Sequence, residues 1–316
     1  VVLRHAEAIP IAMTEMALRR GISLTGGLAE PRYGLRIIPR HALAIDIANA
    51  EIALRLGVVG LLNIQFAIKD QVIYVIEANP RASRTVPFVS KSTGVPLAKI
   101  AARIMAGENL PADDREFDYF CVKEAVMPFG RFPGSDVVLG PEMKSTGEVM
   151  GIAGNFPAAF TKTQLAIDYE PPRGGEVFIS VNDGDKRNIT AIARSIARLG
   201  FSLVATTGTA RALRASGIEC EEVGKIHAGS HTILDRIASG EIVLMINTPF
   251  GSSTNTDGYE MRAACVRHGV SYCTTLAGAQ ALIAGMEAVR ETGHRAARPA
   301  TMGRLNDGRY HSARAR

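Results

Sequence analysis

The feature that most limits what this chain can fold into is the regular exchange of short apolar runs with helical ones between Glu176 and Val289. Glu176–Val181, Phe201–Ala205, Glu219–Val223, Ile242–Asn247 and Val270–Thr274 read as strands. Lys186–Leu199, Thr209–Ser216, His231–Ser239, Gly258–His268 and Leu276–Val289 carry helical spacing. Strands separated by helices do not pair as hairpins, so the pattern predicts an α/β unit, a parallel sheet wrapped by helices, with ligands at the carboxyl ends of the strands.

Those ends carry a particular set of residues. Lys186 opens a helix after Ser180 and the turn NDGD, and the second strand runs into Thr206-Thr207-Gly208-Thr209 directly before a helix. Free amides at a helix start, a helix dipole and three hydroxyls form a phosphate cradle; taken alone, the same turn also reads as an ordinary capped helix. Lys225 follows the third strand and Asn247 ends the fourth, and these two additions favour the cradle.

Upstream lies a different texture. Residues 169–175, around YEPPRGG, read as a linker. Before it, residues 41–168 form an expected first domain: a helix from His41 to Leu56 stopped by Gly57, a hairpin, a helix at Leu97–Ala106, a strand within Asp118–Phe129, a short strand near Glu148–Gly151 and a helix at Pro157–Leu165. Residues 1–40 show no clean period beyond a candidate helix at Met13–Arg20.

The hairpin concentrates the chemistry. Its strands, Asn63–Ile68 and Val72–Glu77, place Asn63, Gln65 and Ala67 on the face of Ile73, Val75 and Glu77, with Gln65 expected diagonally across from Glu77. Glu77 and Asn79 lie two apart, so Gln65, Glu77 and Asn79 offer an amide, a carboxylate and a second amide, hard oxygen ligands suited to magnesium shared with nucleotide phosphates. Arg81 and Arg84 follow with planar forks that suit phosphate oxygens.

At QFAIKDQVIYVIEANPRASRTVPFVSKSTGVPLAKIAARIMAG the chain closely resembles the second ATP-grasp module of the carbamoyl phosphate synthetase large subunit. SVNDGDK, ATTGTA, GKIHAG and INTPFG resemble the regulatory domain that ends the same subunit, a relative of methylglyoxal synthase. The resemblance implies a partial ATP-grasp α+β domain followed by a Rossmann-like, methylglyoxal-synthase-like domain over 176–292. It implies ATP and Mg2+ or Mn2+ as cofactors, held at Gln65, Glu77 and Asn79, with Arg81 and Arg84 neutralising the transferred phosphoryl group. Lys186, Thr206, Thr209, Lys225 and Asn247 would hold a nucleotide effector, uridylate or inosinate. Pro249 stands where bacterial members often carry a hydroxyl, and Glu124 matches a position lining their ornithine site. The implied full enzyme is a cytoplasmic ligase serving arginine synthesis, pyrimidine synthesis or both, paired with a glutaminase small subunit. It makes carbamoyl phosphate from bicarbonate, ammonia released from glutamine and two ATP.

The match covers about His41 to Glu291. The family's His-Ser-Gly-Asp-Ser segment has no counterpart in SLTGGLAEPRYGLRII, and the residues that hold adenine are absent, so this chain alone is expected to be inactive. The first residues read as an interior start, and a frame error in the gene or a pseudogene fragment would account for the abrupt beginning of the match near residue 41 and for the unmatched tail.

Charge and cysteines exclude several classes. The arginines at 295, 298, 304, 309, 314 and 316, set against Asp307, equal the whole chain's excess of +5, so the charge belongs to a tail expected to be disordered over 293–316, without the aromatic stripe of a nucleic-acid domain. No apolar stretch is long enough to span a bilayer. Cys121, Cys220, Cys265 and Cys273 lack CxxC spacing and read as reduced thiols. His227 and His231 stand four apart, but Gly229 interrupts them, which favours a helix-start histidine over a zinc site. Two other functions stay open: a stand-alone nucleotide-sensing module, and a lyase of the methylglyoxal synthase type. The lyase ranks last because Thr248–Asp257 lacks that family's Gly-Gly-Asp order.

Overall fold

A computed structural model describes residues 7–9, 39–70, 72–111, 119–132, 136–139, 143–167, 169–224, 232–249 and 256–292. Its contacts divide the chain between Tyr119 and Phe120.

In the first unit β1 (Glu7–Ile9), β2 (Asn63–Lys69) and β3 (Val72–Asn79) form an antiparallel sheet in that order. Helix α1 (Pro39–Leu56) stops where Gly57 adopts a φ of 61°, a left-handed value that a β-carbon opposes. Alternation along β2 buries Ile64 and Phe66 with Leu62 and Ala53 while Gln65 stays exposed. Full burial of a side chain such as Phe66 contributes about 2–3 kcal/mol. Helix α2 (Thr85–Thr93) ends on left-handed Gly94, and α3 (Leu97–Met105) follows. The sequence reading missed α2, whose Pro87 lies in the first turn, where the missing N–H costs no helical bond. Leu61, Val86, Val95, Leu97 and Ala101 form a second small core.

The hairpin register corrects one expectation. Gln65 pairs directly with Glu77 and Asn63 with Asn79, but Phe66 pairs with Val75, so Ile76 is an extra, bulged residue. Past the bulge the faces exchange. Val75 lies opposite Phe66 and Ile73 opposite Ile68, while Ala67 faces Tyr74, so Ala67 does not share a face with Ile73 and Val75.

The second unit begins with the antiparallel pair β4 (Phe120–Val126) and β5 (Gly147–Ala153), covered by α4 (Phe156–Ala166). Asn155 caps α4, accepting from the Ala158 amide at 2.9 Å. The approach of α4 to β5 is close: a β-carbon on Gly151 would lie 2.0 Å from the Ala159 carbonyl oxygen.

Beyond it run β6 (Glu176–Ser180), α5 (Lys186–Arg198), β7 (Ser202–Thr206), α6 (Thr207–Ala215), β8 (Glu221–Val223), α7 (Ile233–Ala238), β9 (Ile242–Asn247), α8 (Thr256–His268), β10 (Ser271–Cys273) and α9 (Leu276–Thr292). The sheet is parallel throughout, in the order β10-β9-β6-β7-β8. Val177, Ile179, Leu244 and Ile246 pack on the side of α5, α6 and α9, while Phe178, Val204 and Met245 pack on the side of α7 and α8. With both faces covered, the strands are apolar at consecutive positions, which is why they read as continuous runs.

The contacts part at Tyr119, ahead of the linker expected at 169–175. Helix α4 packs on α9, close enough that a β-carbon on Gly285 would meet Thr161 Oγ1 at 2.6 Å, and Asp136 is bonded to Arg262 of α8. Residues 120–167 therefore belong with the parallel sheet. The candidate helix at Met13–Arg20 and the tail from residue 293 lie outside the described residues.

Candidate functional site

Strand order reverses between β6 and β9, the two neighbours whose following helices cover opposite faces. This is the switch point at which parallel sheets open a crevice at their carboxyl ends. Ser180 at the end of β6 is in register with Asn247 at the end of β9. Asn247 is buried, and its Nδ2 donates to the Ser180 carbonyl at 3.2 Å. The Thr248 amide donates to the same carbonyl, and Thr248 Oγ1 accepts from the Asn182 amide at 3.0 Å, pinning the turn after β6.

On the other side of β6, Thr206 Oγ1 lies 3.3 Å from both Ser180 Oγ and Thr209 Oγ1. Thr209 is buried, and its hydroxyl accepts from the Val181 amide at 3.2 Å, so it braces the end of β6. Thr206 occupies the N-cap position of α6 yet makes no side-chain cap, which leaves the helix's first amides without the partner an ordinary cap supplies. Lys186 hangs over this helix start: a β-carbon on Gly208 would stand 2.9 Å from its Nζ. The ammonium pairs for now with Asp183 at 2.5 Å, a carboxylate that is 86 % exposed. Four of the five residues expected to hold an effector, Lys186, Thr206, Thr209 and Asn247, thus line the ends of three adjacent strands, β7, β6 and β9. Lys225 lies outside the described residues, as do His227 and His231.

Two further residues escaped the sequence reading. Arg262 of α8 is buried, donates from NH1 to Asn247 Oδ1 at 2.8 Å, and grips Asp136 with Nε and NH2 at 2.8 and 2.6 Å. Burial would raise the Asp136 carboxyl, but the bonds from Arg262 and from the Val138 and Val137 amides outweigh it and hold it below the usual carboxylate range. An arginine within a helix carries no sequence signal for such a pairing across 126 positions.

Glu124 lies on β4, where its Oε2 accepts from Thr163 Oγ1 at 2.6 Å and Gln164 Nε2 at 2.5 Å. Burial, and then the Glu124 carboxylate, push the Cys273 thiol up to about 12.

In the first unit the hairpin brings Gln65 and Glu77 side by side, both exposed, with Asn79 two residues beyond. Asn79 is half-buried and adds a second amide carbonyl oxygen to the set, while its Nδ2 is buried without a hydrogen-bond partner. The donor set is all oxygen, as magnesium requires, and contains one carboxylate, so the chemistry fits an ion shared with phosphates. Arg81 donates from NH1 to the Ala82 carbonyl at 3.1 Å, its fork exposed, and Arg84 opens α2 beside it. Among the described residues no group of three or more His, Cys, Asp or Glu could hold a metal.

Comparison with known proteins places both regions. Residues 37–113 match the carbamoyl-phosphate synthase L chain, ATP binding domain, and residues 188–274 match the MGS-like domain. The carbamoyl phosphate synthase large chain of Myxococcus xanthus is 50% identical over 240 residues, and that of Pasteurella multocida 52% over 236, covering 75% and 73% of this chain. The C-terminal section of the Methanopyrus kandleri large chain is 51% identical over 248 residues. The chain spans 22% of the length of the first two relatives and 46% of the third. Across the three quarters of its length that align, the chain belongs to the carbamoyl phosphate synthase large-chain family, joining part of an ATP-binding domain to an MGS-like domain.

Proposed function

We propose that this chain works as the carboxy-terminal part of an ATP-dependent carbamoyl phosphate synthetase, in which residues 41–168 serve phosphorylation of carbamate and residues 176–292 bind a regulatory nucleotide. The single observation that carries the regulatory half is the Lys186 ammonium over the uncapped start of α6, beside Thr206 and across from Asn247. That arrangement offers an anion site of amides and ammonium at one end and a fixed amide at the other, the pattern of a nucleoside monophosphate such as uridylate or inosinate.

In the hairpin, Gln65, Glu77 and Asn79 would hold Mg2+ or Mn2+, which would offset the negative charge of the ATP phosphates. Arg81 and Arg84 orient the γ-phosphate and neutralise charge as it passes to a carbamate oxygen and ADP leaves. Glu124, with its oxygen already oriented by Thr163 and Gln164, suits an amine ligand such as ornithine. The glutaminase small subunit would supply ammonia in the full, cytoplasmic enzyme. No helix among the described residues is long and apolar enough to cross a membrane.

A stand-alone nucleotide sensor is the second reading. It is favoured by the single carboxylate in the hairpin set, against a crevice built from several bonded residues. The lyase reading has no support here, since its diagnostic loop falls largely on residues 250–255, outside the described residues.

The deciding experiment is a thermal shift of this chain with uridylate, inosinate and magnesium ATP added separately. Binding at a hundredfold excess over Kd stabilises the folded state by about 2.7 kcal/mol. A shift with uridylate or inosinate is the expected result, and no shift with either would overturn the regulatory assignment.

A further inference from the structure

The orientation of Asn247 in the crevice is dictated by a charge. Its Oδ1 accepts from Arg262, a group that can only donate, and its Nδ2 donates to the Ser180 carbonyl, a group that can only accept. A flipped amide would set donor against donor and acceptor against acceptor, so the side chain has one stable orientation. Its nitrogen keeps a second hydrogen beyond the one given to Ser180. Asp136 completes the arrangement: with both oxygens on the guanidinium it fixes the plane of Arg262, in a bidentate pair whose arginine side chain is 5 % exposed. Gly258 makes the space, since a β-carbon there would lie 2.9 Å from Arg262 NH1 and 3.6 Å from Asn247 Oδ1.

We propose that Arg262, held by Asp136, is a positioning residue that sets Asn247 as a hydrogen-bond donor, so that the crevice selects a ligand presenting an acceptor oxygen at the β9 end. Strands lie about 4.8 Å apart, so Asn247 stands roughly 10 Å from the phosphate end at Thr206, two strands away. A bare phosphate cannot reach both ends; a phosphate carrying a sugar and base can. The inference rests on the proposed nucleotide-binding role of this crevice and deepens it, since the donor end, and not the phosphate end, separates a nucleotide from other anions.

The test uses the full chain, with uridylate, inosinate and inorganic phosphate as probes and calorimetry as readout. Gly258→Ala keeps every bonding partner while crowding Arg262, whose guanidinium must shift, and a melting curve checks that the variant folds. Asp136→Asn removes the charge that holds the guanidinium. Both variants weaken the nucleotide roughly tenfold, the size of one oriented hydrogen bond, and leave inorganic phosphate unchanged. A parallel loss for nucleotide and phosphate marks a merely structural role and overturns the proposal, as does unchanged nucleotide affinity in both variants. Failure of the unmodified chain to bind either nucleotide overturns the crevice assignment itself, and this inference with it.

Discussion

Gln65 stands directly opposite Glu77 across the hairpin, and the bulge at Ile76 immediately beyond them is what keeps both side chains on the exposed face. The strand can therefore bury Phe66 on one side while offering paired oxygen donors on the other, and the two requirements are independent of one another.

That independence makes a first prediction. Glu77→Gln removes a carboxylate that is exposed, so the midpoint of urea unfolding changes by no more than about 0.5 kcal/mol in equivalent stability. In the assembled large chain the same substitution abolishes magnesium-dependent ATP turnover. A variant with normal turnover would remove Glu77 from the metal site.

Lys186 is shared between Asp183 and the start of α6. Lys186→Gln should abolish measurable uridylate binding. Asp183→Asn, which releases the ammonium, should strengthen it by about two- to threefold, a fraction of one charged hydrogen bond. Weaker binding in Asp183→Asn would mean that the pair organises the site instead of competing with the ligand.

A third expectation concerns the opposite edge of the sheet. Arg236, 6 % exposed, is bracketed by Glu176, Glu221 and Glu241, which come from the starts of β6, β8 and β9. Arg236→Met leaves these carboxylates facing one another without a cation. Glu221 and Glu241 reach solvent, so the loss falls below that of a fully buried pair, at about 2–3 kcal/mol by urea unfolding. Ligand affinity at the other end of the strands stays as it was.

Acid stability reports on Asp136. Its folded pKa lies below the ordinary 3.8, so its stabilising effect is complete above that value and is lost as pH falls through the folded one. As pH falls below 3.8 the unmodified chain should therefore lose more stability than Asp136→Asn, whose side chain does not titrate. Parallel acid profiles would show that the pair contributes nothing in this range.

Gly151→Ala is the most severe single change foreseen. The added methyl would meet the Ala159 carbonyl at 2.0 Å and Lys162 Cβ at 2.9 Å, both in α4, so helix and strand must separate. Thermal unfolding should register a loss of about 3 kcal/mol or more, the upper range for overpacking.

Much of this protein follows from local pattern alone. The parallel sheet was legible because strands covered on both faces must be apolar at every position, as in Ile242–Ile246, and the end of α1 was legible because Gly57 permits a left-handed backbone. Lys186, Thr206, Thr209 and Asn247 were legible because residues that end consecutive parallel strands must gather at one edge. Tertiary structure decided the rest. A bulge shifts register without changing composition, so Gln65 and Glu77 became direct partners. Packing of α4 on α9 moved 120–167 into the second unit. Arg262 reached Asn247 and Asp136 because folding closed a gap of 126 residues between guanidinium and carboxylate, an electrostatic match that exists only once both are withdrawn from water.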